Sequence, residues 1–256
     1  MSRIADAFQN KKAFVAYLMA GDPDLRTSGE LLLAAQEAGA DLVEIGIPFS
    51  DPIAEGEVIQ AASVRALEAG ADLEGIFCMV ASIRDQMRIP MVFMTYVNPV
   101  FVYGYERFFA RCEEIGICGI IIPDLPFEEQ GEVKEVAARF QVEVVTLVAP
   151  TSKERVARIA KEAEGFLYQV SSLGVTGVRG NITADVPGMV REIRQYTDLP
   201  VAVGFGVGTP EQAGTFAAMA DGVIVGSALV RLVAQYGMGA GVHLAALIQS
   251  MKSSMQ

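Results

Sequence analysis

Residues 44–60 read EIGIPFSDPIAEGEVIQ, and their first residue raises a question: Glu44 is an acid inside the otherwise apolar run that follows Asp41 in DLVEIGIPF (41–49). The run itself reads as a buried strand. Gly46, Ile47 and Pro48 then turn the chain into a loop with three more acids, Asp51, Glu55 and Glu57. Taking an unpaired carboxylate out of water costs several kcal/mol unless it finds a partner or keeps its proton. A carboxyl at this position therefore needs a reason, structural or chemical.

The same run recurs along the chain. AFVAYLMAG (13–21), PMVFMTYVN (90–98), GICGIIIPD (116–124), VEVVTLVAP (142–150), GFLYQVSS (165–172), PVAVGFGV (200–207) and DGVIVGSA (221–228) join it as strand candidates. They are continuously apolar rather than alternating, as expected of parallel strands covered on both faces. Amphipathic helical stretches lie between them. TSGELLLAAQEAG opens on a Ser/Thr cap and ends at Gly; YERFFARCEEIG and EEQGEVKEVAARF share its spacing. TSKERVARIAKEAEG predicts a capping box from Thr151 or Ser152 with Glu154, and TPEQAGTFAAMA places Pro210 in a first helical turn. An α/β fold follows: a (β/α)8 TIM barrel with a short N-terminal helix, one domain over residues 1–256. A doubly wound open sheet competes, but normally has fewer strands.

Composition narrows the partners. The 256 residues carry a formal net charge of −11, which disfavours nucleic acid, since phosphate backbones call for clustered Lys and Arg. No apolar run reaches the ~18 residues of a membrane span, and no signal peptide is visible. Cys78, Cys112 and Cys118 lack metal spacing and read as reduced thiols of a cytoplasmic protein.

In such barrels the active site lies at the C-terminal strand ends. The last three ends are glycine-rich: SLGVTG (172–177), GFGVG (204–208) and VGSA (225–228). Backbone amides there, with a helix N-terminus behind them, predict a phosphate site. No lysine falls inside a strand run, which argues against an imine-forming aldolase, and the single histidine, His243, cannot assemble a triad or a His-ligated metal site. Carboxylates remain. Glu44 points into the barrel mouth if side chains alternate normally, with Asp22, Asp51, Glu55 and Asp124 on neighbouring loops. An apolar pocket raises the pKa of a glutamate, so that it can give and take protons near neutrality. The structural alternatives are an ion pair for Glu44 and turn formation for Asp22 and Asp124, both of which border prolines.

EIGIPFSDPIAEGEVIQ, IIPDLPFEE, SSLGVTGVR, VGFGV and VGSALV, in this order and spacing, closely resemble the α subunits of tryptophan synthase, from about Arg3 to the last helix. The resemblance implies a lyase that cleaves indole-3-glycerol phosphate to indole and glyceraldehyde 3-phosphate, with no metal and no imine. Glu44 matches the family's general acid/base, which protonates indole C3 and, directly or by relay, takes the proton of the glycerol 3'-hydroxyl. The family's second carboxylate, usually in Ala-Asp-Gly, corresponds to Glu55 of Ala54-Glu55-Gly56, one methylene longer. Tyr168 would orient Glu44. Tyr17, Ile59, Met94, Tyr96 and Leu147 would line the indole pocket, and Thr176 would sit on a lid-like loop. Gly177, Phe205, Gly206, Gly226 and Ser227 would meet the phosphate. The resemblance also implies a β-subunit partner in an α2β2 heterotetramer, faced by Asp51, Pro52, Asn98 and Pro126. Pyridoxal phosphate would belong to that partner, leaving this chain without a cofactor.

Three other readings stay open: a different phosphosugar isomerase or epimerase on the same fold, a catalytically weak allosteric binding subunit, and a stand-alone indole-releasing lyase.

Overall fold

The computed structural model describes residues 4–150, 152–170, 185–204 and 206–256. Its strands are β1 Ala13–Met19, β2 Leu42–Gly46, β3 Met91–Met94, β4 Ile117–Ile121, β5 Glu143–Val148, β6 Leu167–Val170, β7 Val201–Gly204 and β8 Gly222–Val225. Each pairs in parallel with the next, and β8 returns to β1, so the sheet closes into a barrel. Every strand lies within the run that predicts it but is shorter; in β1 to β5, for example, the last residues of the run leave the ladder to build the loops of the barrel mouth.

The helices are α1 Leu25–Glu37, α2 Glu57–Glu68, α3 Leu73–Ile83, α4 Val97–Tyr103, α5 Tyr105–Ile115 and α6 Gly131–Arg139, then α7 Lys153–Glu162, α8 Val186–Ile193, α9 Pro210–Ala217, α10 Ser227–Tyr236 and α11 Ala240–Ser254. Two caps differ from expectation. Thr27 and Ser28 lie inside α1; Asp24 caps it, accepting from the Thr27 N–H. At α7, Ser152 caps by accepting from the Arg155 N–H, and Glu154 stands one position too early to close a box. A full capping box forms instead at α9, between Thr209 and Gln212, with Pro210 in the first turn.

Two packed layers follow from the period of two along each strand. Ala13, Val15, Leu42, Val92, Val145, Phe166, Ala202 and Ile224 fill the barrel interior. Their sequence neighbours, among them Phe14, Ala16, Val43, Phe93, Val144 and Val203, face outward into the helices. Continuous apolarity is thus one side chain for each layer in turn, each fully buried aliphatic contributing roughly 1.5–3 kcal/mol. A 3-10 turn, Ile4–Phe8, closes the bottom, where the Phe8 and Phe166 rings stand 5.4 Å apart. On the same side Asp41 accepts from the Phe14 N–H at 2.7 Å and pairs with Lys11 at 2.8 Å and with Lys252 of α11. Among the described residues, no helix is long and apolar enough to cross a membrane.

Candidate active site

A cavity of about 580 Å³ opens at the C-terminal ends of the strands. Tyr17, Glu44, Glu55, Ile59, Met94, Leu147, Tyr168, Gly206, Gly226 and Ser227, all singled out from the sequence, line it. Tyr96 does not: it is buried behind the wall, its ring 5.3 Å from that of Phe49. Thr176, Gly177 and Phe205 lie outside the described residues.

Glu44 is completely buried, and neither carboxyl oxygen has a hydrogen-bond partner among the described residues. The ion-pair alternative therefore has no counterpart here. Burial alone pushes the Glu44 pKa up to about 8, which favours the neutral carboxyl up to about neutral pH.

Glu55 is held by its backbone. The Ala54 N–H donates to the Tyr96 hydroxyl at 3.1 Å, and the Gln60 side-chain amide donates to the Glu55 carbonyl at 2.8 Å. Burial raises the Glu55 pKa to about 7, partly countered by a hydrogen bond from Tyr96. Its Oε2 has no partner among the described residues. Two carboxyls thus face one cavity, and burial raises the proton affinity of each toward the neutral range in which a group can give and take protons.

Two glycines make room for the two cavity tyrosines. A β-carbon on Gly204, at the end of β7, would come within 2.5 Å of Cε1 in the Tyr168 ring. A β-carbon on Gly46, at the end of β2, would collide with the Tyr17 hydroxyl and stand 2.7 Å from its Cζ. Burial, then the nearby Glu44 charge, hold the Tyr168 phenol well above its ordinary pKa.

Past the ends of β7 and β8, Gly226 precedes the first turn of α10, which begins at Ser227, and Gly206 adopts φ of +74°. Free N–H groups at a helix start favour an anion.

The other acids have structural partners. Asp22 is buried in a bidentate pair with Arg65, at 2.9 and 2.6 Å, and Asp124 accepts from the Val97 N–H at 2.9 Å. His243 stacks on Tyr236, away from the cavity. Among the described residues, no group of three or more His, Cys, Asp or Glu could hold a metal. Missed from the sequence were Gln130 and Thr146 of the cavity wall, joined by a 3.2 Å hydrogen bond. Their side chains meet across 16 positions with no motif to announce the pair.

Around the cavity mouth, Asp51, Asn98 and Pro126 are exposed and Pro52 is half-buried; Pro126 and Ile53 also line the cavity. Beside them in sequence, Ile53, Phe101 and Val102 are 73%, 66% and 75% exposed, apolar surface of the kind that marks a binding face.

The chain as a whole is similar to known proteins. The sequence model of the family described as tryptophan synthase alpha chain matches residues 4–256. The Lacticaseibacillus casei tryptophan synthase alpha chain is 48% identical over 235 residues, 92% of this chain and 88% of that one. A solved Mycobacterium tuberculosis tryptophan synthase superposes with a TM-score of 0.90 at 34% identity, over 99% of this chain and 98% of the other. A chain of the tryptophan synthase complex from Pyrococcus furiosus gives 0.85 at 35% identity, covering 94% and 98%.

Proposed function

Because the chain belongs to the tryptophan synthase alpha chain family, we propose that Glu44 is the acid/base with which it cleaves indole-3-glycerol phosphate. The protein is the lyase subunit in tryptophan biosynthesis, releasing indole and glyceraldehyde 3-phosphate. The observation that carries the residue assignment is the Glu44 carboxyl, buried, unpartnered among the described residues and facing the cavity.

The neutral Glu44 carboxyl gives its proton to indole C3, leaving a carboxylate and a cationic ring. Glu55, ionised, offsets the positive charge at the ring nitrogen. The Glu44 carboxylate then takes the proton from the hydroxyl on the carbon bonded to C3. The C–C bond breaks, its electrons return to the ring, and the aldehyde forms; Glu44 ends as it began. Tyr168 keeps the acid in place. Ile59, Met94 and Leu147 supply apolar walls, with Tyr96 supporting the Glu55 loop from behind. Gly206, Gly226 and Ser227, with Gly177, Phe205 and Thr176, hold or cover the phosphate end.

The chemistry asks for no cofactor in this chain. The partner is a tryptophan synthase β chain, docking on Asp51, Pro52, Asn98 and Pro126 in an α2β2 assembly and carrying pyridoxal phosphate itself. The exposed apolar residues beside that face support the assignment, as does the relative solved as a tryptophan synthase complex. The barrel over 1–256 acts as one domain, and its free cysteines suit the reducing cytoplasm.

The test is indole release by the purified protein and by Glu44→Gln, each with and without a β chain. Lost turnover with retained ligand binding in Glu44→Gln is the expected result; turnover within twofold of the parent would overturn the assignment.

A further inference from the structure

Tyr17 holds a position that its share of the apolar wall does not account for. It is 5% exposed and lines the cavity with a polar group at the tip of its ring. Its Cα is the register partner of Glu44 on the adjacent strand. The ring starts beside Gly226, where an added β-carbon would stand 3.4 Å from Cδ1, and it ends with the hydroxyl over Gly46, two residues past Glu44. Barrel order makes this span meaningful, because β1 lies between β8 and β2. The anion-favouring start of α10 is on one side of the ring and the acid is on the other.

On the lyase reading the substrate spans the same distance: with its phosphate at the start of α10 and its reacting carbon at Glu44, the glycerol chain that joins them would run along the Tyr17 ring. Tyr17 is also the tyrosine whose proton affinity is raised, after burial, by both Glu55 and Glu44; Tyr168 feels Glu44, and Tyr96 feels Glu55 and Asp124. Its hydroxyl therefore stays protonated and remains a donor.

Building on the lyase reading above, we infer that the Tyr17 hydroxyl is a further catalytic group, donating a hydrogen bond to the oxygen on the carbon severed from indole. That oxygen gains negative charge as its proton leaves for Glu44, and a donor already in place stabilises it there. The bond breaks and forms as before; Tyr17 gives up no proton and returns unchanged. Its hydrogen bond also turns the substrate hydroxyl so that its own proton faces Glu44.

Tyr17→Phe keeps the ring and removes the donor. The expected result is a fall of about ten- to a hundredfold in the single-turnover rate of indole release. An analogue with a hydroxyl-free propyl chain between indole and phosphate should bind the variant within twofold of the parent, showing that the pocket is intact. Calorimetry in a Glu44→Gln background, where the substrate stays whole, should show Tyr17→Phe weakening the substrate but not the analogue. Equal losses for substrate and analogue would mean that Tyr17 only packs, and would overturn the inference. So would no loss for either. If the unmodified chain releases no indole, the lyase reading fails, and the calorimetric comparison still decides whether Tyr17 contacts the chain hydroxyl.

Discussion

The Tyr168 side chain occupies the space that a β-carbon on Gly204 would need, with Cε1 and Oη each 2.5 Å from that position. The small residue at the end of β7 therefore sets where the tyrosine beside Glu44 lies. Gly204→Ala should displace the ring and lower kcat at least tenfold. The overpacking should cost about 1–3 kcal/mol of stability in a urea melt. Unchanged kcat would mean that Tyr168 is not needed to orient the acid.

Glu44 should make stability depend on pH. Below the ordinary glutamate value of 4.5 both folded and unfolded chains hold its proton, and it contributes no difference. Between there and about 8 the unfolded chain has released the proton and the folded chain keeps it. Stability attributable to Glu44 therefore declines as pH rises through this window and levels off above it. Glu44→Gln removes the slope, so the variant should gain on the parent by up to a few kcal/mol between pH 5 and 8, at roughly 1.4 kcal/mol for each pH unit crossed. Parallel Tm–pH curves would contradict a buried, protonated Glu44.

Activity should show two limbs. Glu44 must hold its proton, so kcat/KM should fall as pH rises past about 8. Glu55 must be ionised, so kcat/KM should fall as pH drops below about 7. Glu55→Asp should move the acid limb to lower pH, because aspartate is intrinsically the stronger acid. An acid limb that stays in place would assign it to another group.

Arg65→Met should strand the buried Asp22 carboxylate. Arg65 is itself about a third exposed, so the cost should be about 2–4 kcal/mol, toward the lower end of values for buried pairs. Adding Asp22→Asn should recover part of it. A melt that does not move would mean water already serves Asp22.

Phe101→Glu should weaken binding of a tryptophan synthase β chain at least tenfold by calorimetry, since it places a charge on an apolar face. Unaltered affinity would put the interface elsewhere.

The barrel was legible because two local rules agree along the whole chain. Runs such as AFVAYLMAG satisfy an inner and an outer apolar layer at once, and Gly, Pro and Asp gather where the strands end. Glu44 stood out because a lone acid breaks that rule. What stayed hidden depends on long-range side-chain geometry. Arg65 answers Asp22 from 43 positions away, and Gln130 meets Thr146 through the wall of the cavity. The roles of Gly46 and Gly204 were equally hidden, because each depends on the ring projecting from the neighbouring strand. The support that Tyr96 and Gln60 give the Glu55 loop likewise needs three segments in place at once. The expectations for Thr176, Gly177 and Phe205 fall outside the described residues.

Asp41 gathers Lys11, from just before the first strand, and Lys252, from the last helix, beneath the barrel. The approach to the first strand and the last helix are thereby tied together on the face opposite the cavity. For an engineer, that makes the underside the place to work: a covalent cross-link there between positions 11 and 252 would brace the barrel without touching a residue of the cavity wall.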